Sequence, residues 1–164
     1  MNLEKLFKVY EFAKQTNKSR VQKWAIEPDY ILHPINVARI AKAYNGDIAT
    51  IHACLLHDVL NNTPVNINDI KYLFDKEIAF LVDGVTILET PEKTFGKVKS
   101  FSKEDKRVCL IKLADLIHHT LTTNSLGGTH LNYLQINPWY VALGKCFGYD
   151  PASNRLDELT QLLV

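Results

Sequence analysis

The chain has 164 residues, of which 46% are hydrophobic and 23% charged, the size and composition of one ordinary globular domain. Nineteen basic residues against eighteen acidic ones leave a net charge of +1, so bulk charge gives no argument for a nucleic-acid or membrane-surface partner. Seven glycines and six prolines are too few for long linkers or low-complexity tracts. No apolar run approaches the ~18 residues of a membrane span, and Met1 to Lys5 does not resemble a signal peptide, so a soluble cytoplasmic protein is expected. Cys54, Cys109 and Cys146 stand far apart in apolar settings without CxxC spacing. They are expected to be buried, reduced thiols.

Leu3, Leu6, Phe7, Tyr10 and Ala13 recur at three- and four-residue steps and predict an amphipathic helix from about 3 to 17. Pro34 suits the first position of a second helix, which Asn45-Gly46 stops. Asp47 then caps a third, from Ile48 to about Asn62, apolar on most sides and expected at the centre of the molecule. Asn66 with Asp69 forms a capping pair for a fourth helix, Ile67 to Phe74, and a fifth runs from about Lys76 to Leu88. Residues 89–101, with Pro91, Gly96 and several lysines, lack sustained periodicity and read as a mobile basic loop. Ser102 and Asp105 open a long sixth helix through Leu113 and Ile117. Asn137-Pro138 and Asp150-Pro151 announce two more, near 138–147 and 151–163. The expectation is a single all-α domain over residues 1–164, a bundle of about eight helices. Irregular segments at 19–32 and 122–137 are long enough to flank a site.

The informative words are His33-Pro34, His57-Asp58 and the stretch Leu113-Ala114-Asp115-Leu116-Ile117-His118-His119. Imidazoles and carboxylates in apolar helices are costly to bury unless something satisfies them, and a divalent cation does so. Mixed nitrogen and oxygen donors suit manganese, iron or zinc better than calcium. Singly, His57 reads as well as a core histidine and Asp115 as a buried salt-bridge partner. Together, a His, an adjacent His-Asp pair twenty-four residues later and a distant Asp inside an apolar helix have the order of the HD metal-dependent phosphohydrolases.

The segments Tyr30 to Ala38, Ala53 to Val59, Leu81 to Thr86 and Ile111 to Asp115 resemble the hydrolase domain of the RelA/SpoT alarmone enzymes, over roughly residues 5–125. The resemblance is to the small stand-alone alarmone hydrolases, which have an HD-type helical bundle. It implies that His33, His57, Asp58 and Asp115 hold one manganese ion, and that the substrate is guanosine tetra- or pentaphosphate, attacked by water at its 3′-diphosphate. The partner is then a small nucleotide, with neither nucleic acid nor membrane involved.

Three departures from that pattern bear on activity. The Glu-Asp pair that usually follows His-Asp is here Asn61-Asn62, which can orient a water but cannot take its proton. These two form the candidate catalytic face, or else simply a helix terminus before Thr63-Pro64. His119 replaces the family's substrate-contacting Asn and stands four residues after Asp115, as an added ligand, a base, a phosphate contact or a packing residue. The family's base-binding run is replaced by Gln22 to Asp29, in which Arg20 or Lys23 would grip phosphate and Trp24 would stack a purine or cover the core. Lys97, Lys99 and Thr122 complete the candidate substrate contacts. The rival readings are an alarmone-sensing module without turnover and an HD phosphatase acting on other nucleotides.

Overall fold

A computed structural model describes residues 3–17, 30–123 and 130–163. Among these the chain forms ten helices and no strand: α1 (Leu3–Thr16), α2 (Leu32–Ala43), α3 (Ile48–Leu56), α4 (Val59–Asn62), α5 (Ile67–Leu73), α6 (Lys76–Val85), α7 (Pro91–Glu104), α8 (Arg107–Thr123), α9 (His130–Cys146) and α10 (Asp150–Gln161). The all-α expectation holds, with more helices than the eight read from the sequence, α3 ending earlier than expected and α9 starting well before residue 138. No helix among the described residues is long and apolar enough to cross a membrane.

The axis of the bundle is α8, which packs against α2, α3, α6, α7, α9 and α10. Val108, Cys109, Leu110, Ile111, Leu113, Ala114, Leu116 and Ile117 are all buried, so this helix is apolar nearly all round, as a helix without a solvent face must be. The helix expected at the centre, α3, is also mostly buried, but it ends at Leu56 rather than near Asn62. His57 and Asp58 form a turn, with Asp58 at φ −96 and ψ −7, before α4 resumes. That is the sparsely populated bridge region where many active-site residues sit.

Several local expectations are corrected. Residues 91–104 form a helix, not a loop. Thr90 accepts from the Lys93 amide as N-cap, Pro91 occupies a first-turn position that has no use for an N–H, and Gly96 lies on the exposed face. Thr94, Val98 and Ser102 supply the buried stripe at four-residue steps. Ser102 therefore lies inside α7, its hydroxyl donating to Val98 O at 2.6 Å, and Asp105 alone starts α8 by accepting from the Arg107 amide at 3.0 Å. Pro34 is the third residue of α2, still within the turn whose amides lack intrahelical partners.

Asn137 does not cap a helix at Pro138. It is fully buried inside α9 and donates to Thr120 Oγ1 at 3.1 Å and Thr160 Oγ1 at 2.9 Å, tying α9 to α8 and α10. The irregular segment expected over 122–137 is helical at both ends. Cys54 and Cys109 are buried free thiols as expected, whereas Cys146 is exposed at the end of α9. The capping box of Asn66 and Asp69 is present as read.

At Gly144 α9 comes so close to α10 that an added Cβ would stand 2.2 Å from Ser153 Oγ and 2.8 Å from a Leu113 methyl. Arg107 gathers Asp47, Glu77 and Asp105 into one ion-pair cluster, linking the starts of α3, α6 and α8.

Candidate metal centre

Two helices and one turn converge on a single point. His33 comes from the first turn of α2, His57 and Asp58 from the α3–α4 turn, and Asp115 from the middle of α8. On a straight helix adjacent side chains diverge by about 100°, so it is the turn at 57–58 that lets both neighbours address one centre. His33 Nε2 lies 3.2 Å from His57 Nε2, 3.4 Å from Asp115 Oδ1 and 4.0 Å from Asp58 Oδ2. His57 Nε2 lies 3.6 Å from both Asp58 Oδ1 and Asp115 Oδ1. Donors about 2.1 Å from a shared ion, at angles between 90° and tetrahedral, stand about 3.0–3.4 Å apart. The His33–His57 and His33–Asp115 spacings fall in that range, and the other three, at 3.6 and 4.0 Å, are somewhat wider.

The donors fit a cation chemically as well. Asp115 Oδ1 is buried with no hydrogen bond of sound geometry, although imidazole nitrogens surround it. His57 Nδ1 is 2.7 Å from Cys54 O, so Nδ1–H donates to that carbonyl and the Nε2 lone pair faces the cluster. His33 Nδ1 is 2.9 Å from His118 Nδ1, so a His33 that keeps its Nε2 lone pair for the cluster donates to His118. Tyr30 donates its hydroxyl to Asp58 Oδ2. Lys112, buried in α8, donates to Asp115 Oδ2 at 2.8 Å.

These contacts set the charges. Burial raises the Asp115 carboxyl, but the Lys112 ammonium and the His119 and His33 imidazoles hold it well below the usual range. Burial opposes ionisation of Asp58 too, and His57, His33 and the Tyr30 hydroxyl bring it to about 2 despite Asp115. His57 is pulled down by burial and lifted further by Asp58 and Asp115, to about 9. A proton there occupies the place in the charge balance that a metal would take. Burial, with His33 and His119 next, lowers His118 to about 4 and keeps it neutral. The cluster thus carries the donors for a divalent metal ion.

A cleft of about 330 Å³ opens beside the cluster between α8, α9 and the α6–α7 connection. Asp58, Asp115 and Lys112 line its floor and Ile87, Tyr133 and Ile136 its walls. A larger groove of about 1170 Å³, between α1, α2 and α3, contains none of the donors.

The structure brings together His33, His57, Asp58 and Asp115, and adds His119, whose Nε2 lies 3.2 Å from Asp115 Oδ1 at the edge of the cleft. It does not bring the other candidates there. Asn61 points to the α6–α7 connection, donating to Ile87 O at 2.9 Å and accepting from Ile87 N at 3.0 Å, so both ends of its amide are engaged away from the donors. Lys97 is paired with Asp83 at 2.6 Å and lies over the Phe101 ring. Lys99 is exposed on α7, and Thr122 bonds back to the carbonyls of His118 and His119 within α8. Arg20, Lys23, Trp24 and the Asn62 side chain lie outside the described residues.

Sequence reasoning passed over Tyr30, Lys112, His118 and Tyr133. Of these Lys112 left a signal: an ammonium in an otherwise apolar helix, three residues before an aspartate, needs a partner, and that spacing supplies one.

The family model for the HD domain matches residues 10–128. The chain is 36% identical over 133 residues to the bifunctional (p)ppGpp synthase/hydrolase SpoT of Escherichia coli (strain K12), covering 76% of this chain and 19% of that protein. It is also 36% identical over 125 residues to a guanosine-3′,5′-bis(diphosphate) 3′-pyrophosphohydrolase of Aquifex aeolicus, covering 73% and 18%. The chain therefore spans about a fifth of the length of these relatives. Among solved structures it superposes on a metazoan ortholog of SpoT that hydrolyses ppGpp, with a TM-score of 0.78 at 24% identity, covering 96% of this chain and 94% of that one.

Proposed function

Because the chain belongs to the HD-domain family, we propose that it is a cytoplasmic, metal-dependent phosphohydrolase that removes the 3′-diphosphate of guanosine tetra- or pentaphosphate. Manganese is the proposed ion, held by His33, His57, Asp58 and Asp115. The observation that carries the reading is the buried Asp115 Oδ1, without a hydrogen bond and faced by imidazole nitrogens, beside an open cleft. The identity to guanosine-3′,5′-bis(diphosphate) 3′-pyrophosphohydrolases supports the substrate class.

A bound divalent ion would neutralise charge growing on the phosphoryl oxygens and acidify a water. The protein's own contribution is positional. Cys54 O fixes the His57 tautomer, Tyr30 orients Asp58, and Lys112 keeps Asp115 ionised. Ile87 and Ile136 give the cleft apolar walls, and Asn132 and Gln135 of α9 also line it. In the proposed hydrolysis the water oxygen joins the phosphorus as the bond to the 3′-oxygen breaks, so pyrophosphate leaves with the water oxygen and the nucleotide keeps its 3′-oxygen as a hydroxyl.

A sensing role without turnover is favoured by one specific feature. Asp58 and Asp115 are the only carboxylates among the described residues of the cleft, and both belong to the proposed donor set. One experiment separates the two readings: metal analysis of the purified protein, then incubation with guanosine tetraphosphate and manganese, followed by chromatography. Release of pyrophosphate that stops with chelator supports the hydrolase. Tight nucleotide binding with no product supports the sensor, and failure to bind manganese or any other divalent ion refutes both.

A further inference from the structure

His119 lies at the edge of the cluster with no place in the four-donor set. We propose that it is a fifth protein donor to the same ion, through Nε2, so that the centre contains three imidazoles and two carboxylates. The proposal rests on the metal reading above and adds a residue to it.

Position is the first argument. Asp115 and His119 stand four residues apart on α8, the spacing by which a helix turns two metal ligands to one side. His119 Nε2 lies 3.2 Å from Asp115 Oδ1, and the donor atoms of His33, Asp115 and His119 all fall within 4.8 Å of one another. His33, His57 and Asp58 form a second such group, and His33 is common to both. An imidazole offers one lone pair per nitrogen, so the shared His33 Nε2 is best explained by one ion between the groups.

Orientation is the second. The His119 ring is stacked on Tyr133 of α9, with centroids 5.8 Å apart and planes 21° from parallel, and the His33 and His118 rings lie 4.6 Å and 6.4 Å away. Those contacts aim Nε2 at the cluster. The side chain is 35% exposed, at the wall of the cleft rather than inside the core, so packing alone does not account for its direction.

Charge is the third. Three imidazole nitrogens approach the one oxygen Asp115 Oδ1, at 3.2, 3.4 and 3.6 Å, while Lys112 already satisfies Oδ2. His57 already commits its Nδ1–H to Cys54 O, so its Nε2 could donate to Asp115 Oδ1 only as a charged ring. A single cation among them uses all three lone pairs and the carboxylate together. A third imidazole also moves preference toward ions that favour nitrogen, cobalt and zinc above manganese.

The test uses the whole protein, the His119→Asn variant and cobalt(II) as the probe. Wild-type protein loaded with one cobalt should show hyperfine-shifted proton resonances from three imidazole rings, and the variant from two. The cobalt dissociation constant should rise roughly 10–100-fold in the variant, with a smaller rise for manganese. Two shifted rings in the wild type, or cobalt affinity unchanged in a variant that keeps the wild-type circular dichroism, would overturn the proposal and leave the four-donor site standing. Should the variant fold poorly, the ring count in the wild type decides alone. Absence of cobalt and manganese binding by wild-type protein would instead overturn the metal reading itself.

Discussion

Replacing Lys112 by methionine tests how the cluster is held together when no metal is supplied. The ammonium and Asp115 Oδ2 are 2.8 Å apart, and both side chains are less than a tenth exposed. Removing one member of a buried pair leaves the other charged and without its partner, at a cost of about 3–5 kcal/mol. Methionine keeps most of the stem's volume, so little is added for a cavity. The His33, His57 and His119 imidazoles near Asp115 Oδ1 still offer the carboxylate some compensation, which places the expectation at the lower end, about 3 kcal/mol. For a chain of this length each kcal/mol moves the melting temperature by about 2–4 °C, so Lys112→Met should melt about 6–12 °C below wild type. The assay is a thermal melt in chelator at neutral pH, followed by a cycle with Asp115→Asn and the double variant. A shift below about 2 °C, or strictly additive single effects, would refute the argument, because partners in direct contact must couple.

Asn61→Ala should lower stability by about 1–2 kcal/mol through loss of both bonds to Ile87, and urea titration reads this directly. Glutamate at the same position cannot donate to Ile87 O, so Asn61→Glu should not raise hydrolysis of guanosine tetraphosphate, as timed chromatography would check. Gly144→Ala gains about 1 kcal/mol in helix propensity but forces apart Ser153 and Leu113, which typically costs about 1–3 kcal/mol. A net fall in the urea midpoint, partly recovered by adding Ser153→Ala, is expected. Asp47 and Asp105 both titrate below the ordinary carboxylate range. Burial opposes this at Asp47 before the Thr50 amide and Arg107 reverse it, and the Arg107 hydrogen bonds lead at Asp105. The unfolded chain therefore binds more protons between the folded and unfolded values, so this stabilisation is complete above about pH 4 and is lost as pH falls further. Between about pH 4 and pH 2 the urea midpoint should fall less steeply in Arg107→Met than in wild type.

The bundle and the four side chains that converge at its centre were legible in the sequence because each leaves a local mark. His33, His57, Asp58 and Asp115 are polar groups in apolar surroundings, and the Asn66–Asp69 capping box is a four-residue signal that needs no tertiary help. What stayed hidden depends on contacts between distant segments. Pro91 and Gly96 looked like breakers because nothing in the local sequence says that Thr94, Val98 and Ser102 would find the core. Asn137 looked like a cap because Thr120 and Thr160, its partners, are 17 and 23 residues away. Asn61 was placed on the metal side by extending α3 through His57 and Asp58, and the turn there rotates α4 so that its amide meets Ile87 instead. Lys97 looked like a phosphate contact until α6 brought Asp83 beside it.

The placement of Asp115, His119 and Lys112 on α8, the helix with the most neighbours, has a consequence for how the molecule opens. Amide protons along Leu110 to Ile117 are shielded on every side, so their exchange with deuterium should require global unfolding. The walls of the cleft belong to other units: α9, and the α6–α7 connection, where Ile87 is half exposed. Such segments can part in sub-global openings of lower free energy while the donors on α8 stay fixed. On the proposed reading, a nucleotide would enter and leave by fluctuations of the walls alone, and the cluster on α8 would not be reassembled each time.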